Sequence, residues 1–473
     1  MIKNHKKTKL AFIAGATTLA ALAPPAHAQS SDALIDKLVD KGILTVNEAK
    51  DLRDDADKDY KTAFQAKTGM PDWVTGYKIG GDFRGRFDEM TTGNPGMPST
   101  APTPTTGMDR LRFRYRLRFG ITVNMQDNLE AGFRLGSGDV KGNGGTPLSA
   151  NTTLSQDFTK KPIYIDAAYG KWTALNAGPW MLSTTIGKMD SPFKVTPMIL
   201  DPDITPEGAA LQAGYSFNDN QSLAFNSGAF VLNDSYLASP SSTVTGSSEI
   251  PFMYCAQLLW NAKWSDKWST TLGGGAFATV NNQNLSINDI GYSLATQGNT
   301  RDAFGNLVYN YTPLIADASV TYTADTFPFY TGTFPITASV EFMDNTSAPR
   351  ANNGYWAGIT FGKSGTKHTW DLTYRYEYLG ADAWYDQLVD DDNIGYYLNK
   401  PLAANGSSTV SGSAVGYQGG TNIKGHYVRL NYSVTESVTL AVSCYINSLI
   451  NSQHGNDPQN SAMHFMVDAM WKF

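Results

Sequence analysis

Polar and apolar residues trade places at almost every step between Asp109 and Asn124, in the stretch DRLRFRYRLRFGITVN. Leu111, Phe113, Tyr115, Leu117, Phe119, Ile121 and Val123 hold the odd positions, while Arg110, Arg112, Arg114, Arg116 and Arg118 hold even ones. Successive side chains of a strand point to opposite faces, so this period of two predicts a β-strand with one hydrocarbon face and one arginine face. The pattern recurs from Lys78 to the end and predicts about sixteen strands: 78–89, 109–124, 128–138, 162–174, 180–189, 207–217, 221–232, 252–264, 267–280, 313–324, 334–344, 354–363, 367–380, 422–434, 437–448 and 461–473. Each is near or beyond the roughly 9–11 residues that a tilted membrane strand requires.

The connectors alternate short with long. Short ones include 126–128, 218–220, 265–266 and 435–436; the long ones are 90–108, 139–161, 190–206, 233–251, 281–312, 345–353, 381–421 and 449–460, rich in Gly, Ser, Asn, Thr, Pro and Asp. An up-and-down antiparallel barrel with tight turns at one end and loops at the other produces that rhythm. The last segment, HFMVDAMWKF, puts Phe465, Val467, Ala469, Trp471 and Phe473 on one face. It is expected to close the barrel against the first strand, leaving no open edge in lipid. Trp180, Trp264, Trp268, Tyr322 and Trp471 fall near strand ends, where interfacial aromatic girdles sit.

The N-terminal part reads differently. Lys3, Lys6, Lys7 and Lys9 precede the apolar run LAFIAGATTLAALA, and Ala26-His27-Ala28 offers small residues where a signal peptidase reads them. A signal peptide over 1–28 is expected, the apolar run being shorter than the ~20 residues of a spanning helix. Residues 29–77 form a periplasmic helical segment and linker in this reading, and 78–473 the barrel. Within the helical segment, Thr45-Val46-Asn47-Glu48 is a capping-box pattern, and Val46, Ala49, Leu52, Ala56 and Tyr60 make a thin apolar stripe. That stripe suits either self-association or a simple spacer.

Composition narrows the function. Aromatic residues are 12% and charged residues only 17%, a balance that disfavours disorder. The formal net charge of −6 disfavours a nucleic-acid partner. Cys255 and Cys444 fall on opposite faces of distant strands, so no disulfide is expected, and no metal or cofactor motif is present.

The arginines then ask for a water-filled interior. On the outer wall of a barrel each would cost roughly 2–4 kcal/mol at mid-membrane, so the arginine face must meet the lumen. The preceding strand places Lys78, Asp82, Arg84, Arg86 and Asp88 on its inner face, and Arg134 extends the patch on the next strand. Asp190, Asp201, Asp203 and Glu207 lie in or beside the third long loop, MDSPFKVTPMILDPDITPEGAALQ. Folded inward, that loop would face the arginines with carboxylates and set a constriction selective for small polar, chiefly anionic, solutes. The alternative is that the arginines only brace the wall by pairing with carboxylates. Asp382, Asp386, Asp390, Asp391 and Asp392 in the loop 381–421 read as a solvated acidic loop.

Several stretches together carry a resemblance: ALIDKLVDKGILTVNEAKDLR, GDFRGRF, RLRFRYRLRFG, GKMDSPF, DPDITPEGAAL and the terminal Phe473. In order and spacing they resemble the putative porin family of Gram-negative outer-membrane β-barrels. The resemblance implies an outer-membrane diffusion channel for small solutes or ions, surrounded by outer-membrane lipid and lipopolysaccharide and assembled as a homotrimer. It also implies a constriction at Arg84, Arg86, Arg112, Arg114, Arg116, Asp203 and Glu207. Two rivals stand beside it. One is a structural barrel that anchors the envelope; the other is an outer-membrane barrel enzyme, which would need a nucleophile and base beside one of His368, His426, His454 or His464, and no such spacing is present.

Overall fold

The computed structural model describes residues 35, 37–39, 41, 45, 48–50, 52, 70–92, 110–141, 144–155, 157–233, 250–283, 297–302, 306–397, 416–451 and 461–473. The expected signal peptide over 1–28 lies outside these residues, as does most of the helical lead. In the part of the lead that is described, the capping box forms: Thr45 N donates to Glu48 Oε2 at 2.8 Å, and Glu48 N donates to Thr45 Oγ1 at 3.2 Å. Each side chain thereby satisfies a backbone donor that the first turn cannot bond itself.

Sixteen long strands follow: β1 (Val74–Thr92), β2 (Arg110–Met125), β3 (Leu129–Ser137), β4 (Ile163–Ala177), β5 (Trp180–Lys188), β6 (Glu207–Asn218), β7 (Gln221–Val231), β8 (Phe252–Lys263), β9 (Trp268–Val280), β10 (Pro313–Ala324), β11 (Phe334–Asn345), β12 (Asn353–Gly362), β13 (Trp370–Leu379), β14 (Ile423–Ser433), β15 (Val438–Leu449) and β16 (Ser461–Lys472). Each pairs antiparallel with its successor, and β16 returns to β1 from Asp82↔Lys472 to Thr92↔Ala462. The barrel is closed. Phe473 completes the seam, exchanging backbone hydrogen bonds with Gly81 at 2.8 and 3.1 Å. A side chain at Gly81 would meet the Arg118 carbonyl at 2.2 Å and the Phe473 ring at 2.9 Å, so glycine is what lets both neighbours approach there.

The alternation resolves into two faces. On β2, Leu111, Phe113, Leu117 and Phe119 are 41–58% exposed, whereas Arg114 and Arg116 are 7% and 9% exposed. An apolar belt of this extent has no place in water and matches a hydrocarbon surround. Trp180, Trp264, Trp268 and Trp471 are outward and cluster at the end carrying the short turns. Both cysteines are free, Cys255 buried and Cys444 half-buried.

The chief departure lies inside the outer half. Loop 380–393 is not solvated: Trp384 and Asp386 are 0% exposed and Asp382 3%. It packs with the third long loop, 190–206, in one apolar cluster that includes Phe193, Met198, Ile199, Leu200, Trp384 and Leu388. The Trp384 indole donates to the Ile199 carbonyl at 2.7 Å, and Phe193 meets Phe277 with ring centroids 5.0 Å apart. A loop carrying Trp, Tyr, Leu and Val gains more from this burial than its aspartates lose, because those carboxylates find partners inside.

Candidate pore constriction

Strand register builds the basic wall. Across β1 and β2, Asp82 faces Arg118, Arg84 faces Arg116, Arg86 faces Arg114 and Asp88 faces Arg112. Like charges therefore stand opposite one another at the centre of the wall, with an aspartate at each end. Arrangements of this kind are tolerable only with counter-charge nearby. Arg116 Nη2 lies 2.9 Å from Asp82 Oδ1, Arg118 Nε 2.7 Å from Asp82 Oδ2, and Arg112 Nη2 2.7 Å from Asp88 Oδ2.

The remaining counter-charge arrives from further along the chain. Asp203 of loop 190–206 lies 2.8 Å from Arg116 Nη1 and 3.8 Å from Arg118. Arg134 is held by Asp166 on β4 and by Asp190 at the start of the loop, the latter at 2.6 Å. Arg86 takes Asp468 of β16 at 2.7 Å and Asp392 of loop 380–393 at 2.7 Å. Asp468 and Asp392 were not among the sequence candidates. Parity gives the first away, since Asp468 shares the inward face of β16 with His464 and Met466, and barrel closure puts it beside Arg86.

Loop 190–206 crosses the lumen and is anchored on the opposite side. Lys194 N donates to Gln257 Oε1 at 3.0 Å, Gln257 Nε2 donates to the Lys194 carbonyl at 2.6 Å, and Thr196 donates to Glu341 on β11. The loop is thus tied to β2 and β3 at one end of its span and to β8 and β11 across the barrel.

Other candidates sit elsewhere. Glu207, the first residue of β6, pairs with Lys188 at 2.8 Å, its side chain is 65% exposed, and among the described residues it is bonded to no arginine. Its parity is that of Ala209 and Leu211, opposite to buried Ala210. Asp201 is 4% exposed and accepts from the backbone N–H groups of Asp203 and Asp391. Lys78 and Arg110 lie near the two ends of the wall, both exposed. Arg84 donates to Asn151 Oδ1 at 2.7 Å, and Arg114 is 3.7 Å from Asp88 and 3.4 Å from the Ser149 hydroxyl. Among the described residues, the Nε of each has no hydrogen-bond partner.

Asp201, Asp390 and Asp391 bring one carboxylate oxygen each within 4.8 Å of one another. Asp390 already accepts from the Tyr445 hydroxyl at 2.7 Å and has Arg375 at 3.7 Å, so the protein supplies its own counter-charge there. Burial, followed by repulsion from neighbouring carboxylates that include Asp392 and Asp203, raises the pKa of Asp201, Asp390 and Asp391. Burial also acts to raise Asp392, but Arg86 outweighs it and holds that carboxyl well below the usual range. Burial pushes Asp382 up to about 6 against the opposing hydrogen bonds from Thr300.

Residues 87–303 match a family model described as Putative porin. Over that stretch the chain is similar to this porin family. The porin match takes in β2 to β9 and loop 190–206, which carry most of the basic wall. Solved structures that are similar include a triple mutant of the Rhodopseudomonas blastica porin, with 12% identity, TM-score 0.37, and coverage of 84% of this chain and 100% of that one. Another is a loop-deleted form of OmpT, an outer membrane protein of Vibrio cholerae, with 10% identity, TM-score 0.43, and coverage of 84% and 99%. No curated protein matches. The barrel assignment rests on the strand pairing itself.

Proposed function

We propose that this chain forms a water-filled diffusion channel across the outer membrane for small polar solutes, with a modest preference for anions. The observation that carries the reading is the Arg116–Asp203 pair, 2.8 Å long, by which a loop reaching across a closed barrel meets a basic wall. Facing charges from wall and loop keep a passage hydrated and orient dipolar solutes within it. Most wall arginines are neutralised, which makes the preference modest. Among the described residues Arg84 and Arg114 have no carboxylate closer than 3.7 Å, and they are the groups expected to attract anions.

The test is a reversal potential measured across a planar bilayer under a potassium chloride gradient. The native chain should reverse on the anion-selective side, and Arg84→Gln with Arg114→Gln should move it toward zero. An unchanged potential would remove these arginines from the selectivity mechanism. One observation favours the rival reading of a structural barrel: the apolar cluster joining loops 190–206 and 380–393 fills part of the outer half. A barrel sealed there would be electrically silent.

A further inference from the structure

The barrel wall is low over the hairpin of β5 and β6. On its β3 side, β4 is paired up to Ser137↔Ile163, but on its β5 side the topmost pair is Ala168↔Lys188. Among the described residues, Ile163–Ala167 therefore have no neighbouring strand on that side, because the chain turns inward after Lys188 and returns only at Glu207. Across the hairpin, β6 reaches no higher on β7 than Gly208↔Phe230. The 9 residues of β5 span roughly 30 Å along the strand. Tilted by about 40°, that is roughly 23 Å of height, short of the ~25 Å apolar belt of such barrels. The outward side chains around the gap, Ile163, Ile165 and Ile186, are 66%, 57% and 68% exposed.

A cavity of about 660 Å³ occupies the gap. Its lining starts at Ile165 and Val231 on the outer face, passes Ile204 and Phe230, and reaches Met253, Leu388 and Asp203 inside. Asp203 is the loop residue that holds Arg116, so one cavity touches both the hydrocarbon-facing surface and the constriction loop.

We infer that this is a lateral portal by which an uncharged amphiphile with a single apolar chain passes between the outer leaflet and the barrel interior. Ile204, Phe230, Met253 and Leu388 are each less than a tenth exposed and offer an apolar seat. The charged groups in the lining are already paired: Asp166 with Arg134, Lys188 with Glu207, and Asp203 with Arg116. An ionic head group would have to break one of these pairs or remain uncompensated, whereas a hydroxyl can hydrogen-bond to a paired carboxylate without either cost. The volume falls within the roughly 300–1,000 Å³ of small-molecule sites.

The test uses the full chain in lipid vesicles with a twelve-carbon primary alcohol bearing a diazirine on its chain. Irradiation and peptide mapping should place adducts on Phe230, Met253 and Leu388 at least fivefold above the outward controls Leu258 and Leu272. The carboxylate of the same length should label those interior positions less. Ile165→Trp with Val231→Trp, both at exposed positions, should cut interior labelling at least fivefold while single-channel conductance stays unchanged. Labelling confined to the outer wall, interior labelling that survives the two tryptophans, or a preference for the carboxylate would each overturn the portal. Cross-links joining two copies across the mouth, with no interior alcohol adduct, would assign the gap to a second copy and overturn it too.

Discussion

Arg86→Gln separates the electrostatic account of the barrel seam from one based on lipid-facing packing alone. Arg86 and Asp468 are register partners across β1 and β16, joined by Nε–Oδ1 at 2.7 Å and Nη2–Oδ2 at 3.1 Å. The third arm, Nη1, reaches Asp392 at 2.7 Å. Asp468 is 2% exposed, so removing the guanidinium strands a carboxylate away from bulk water. Breaking a buried pair from one side costs about 3–5 kcal/mol. Arg429 on β14 also acts electrostatically on Asp468, which places the expectation at the lower end, about 3 kcal/mol. At about 1.4 kcal/mol per decade, that is two orders of magnitude in the folding equilibrium. Urea unfolding in vesicles, followed by tryptophan fluorescence, measures it. Adding Asp468→Asn should restore at least half of the loss, because the stranded charge disappears. A single variant within about 0.5 kcal/mol of the native chain, with no gain from the second substitution, would refute the reasoning.

Three other changes address the loops. Asp203→Ala removes one of the two carboxylates on Arg116, leaving Asp82 as its partner and Nη1 without counter-charge, and the reversal potential should move further toward anions; movement toward cations would place Asp203 outside the permeation path. Trp384→Ala removes a fully buried ring and should weaken the loop seat by about 3–5 kcal/mol, raising mean conductance and current noise more than it lowers barrel stability. The pH response follows from Asp382, whose folded-state pKa of about 6 lies above its ordinary value. A raised carboxyl pKa means the charged form opposes the folded seat, so docking of loop 380–393 is weaker above pH 6. It should gain stability as pH falls from about 6 toward 4, on the order of 3 kcal/mol when complete. Lower conductance at pH 5 than at pH 8, abolished by Asp382→Asn, is the expected record; conductance that falls as pH rises would contradict the sign.

The barrel was legible because lipid enforces a period of two. An outward Arg or an inward run of Leu is costly at every level of the wall, so the sixteen segments show themselves residue by residue, to within a few positions at their ends. Leu111, Phe113 and Leu117 against Arg112, Arg114 and Arg116 are the clearest case. Loops carry no such constraint, and no period in their sequence shows where they pack. In 381–421 five aspartates suggested water, while Ala383, Trp384, Tyr385, Leu388 and Val389 beside them were the better signal, because a solvated loop gains nothing from them. Glu207 lies close to the constriction loop in sequence, but strand parity sets it with Ala209 on the other face. Asp392 could not be matched to Arg86 at all without the fold, since 306 residues separate them.

The most direct trial of the account is conductance of the purified chain in a planar bilayer at 1 M potassium chloride. Discrete, uniform current steps on insertion are the expected result, with ionic passage through the barrel past Arg116 and Asp203. A membrane that stays silent, although the inserted barrel resists protease and shows β-sheet circular dichroism, would contradict the channel and leave a closed structural barrel in its place.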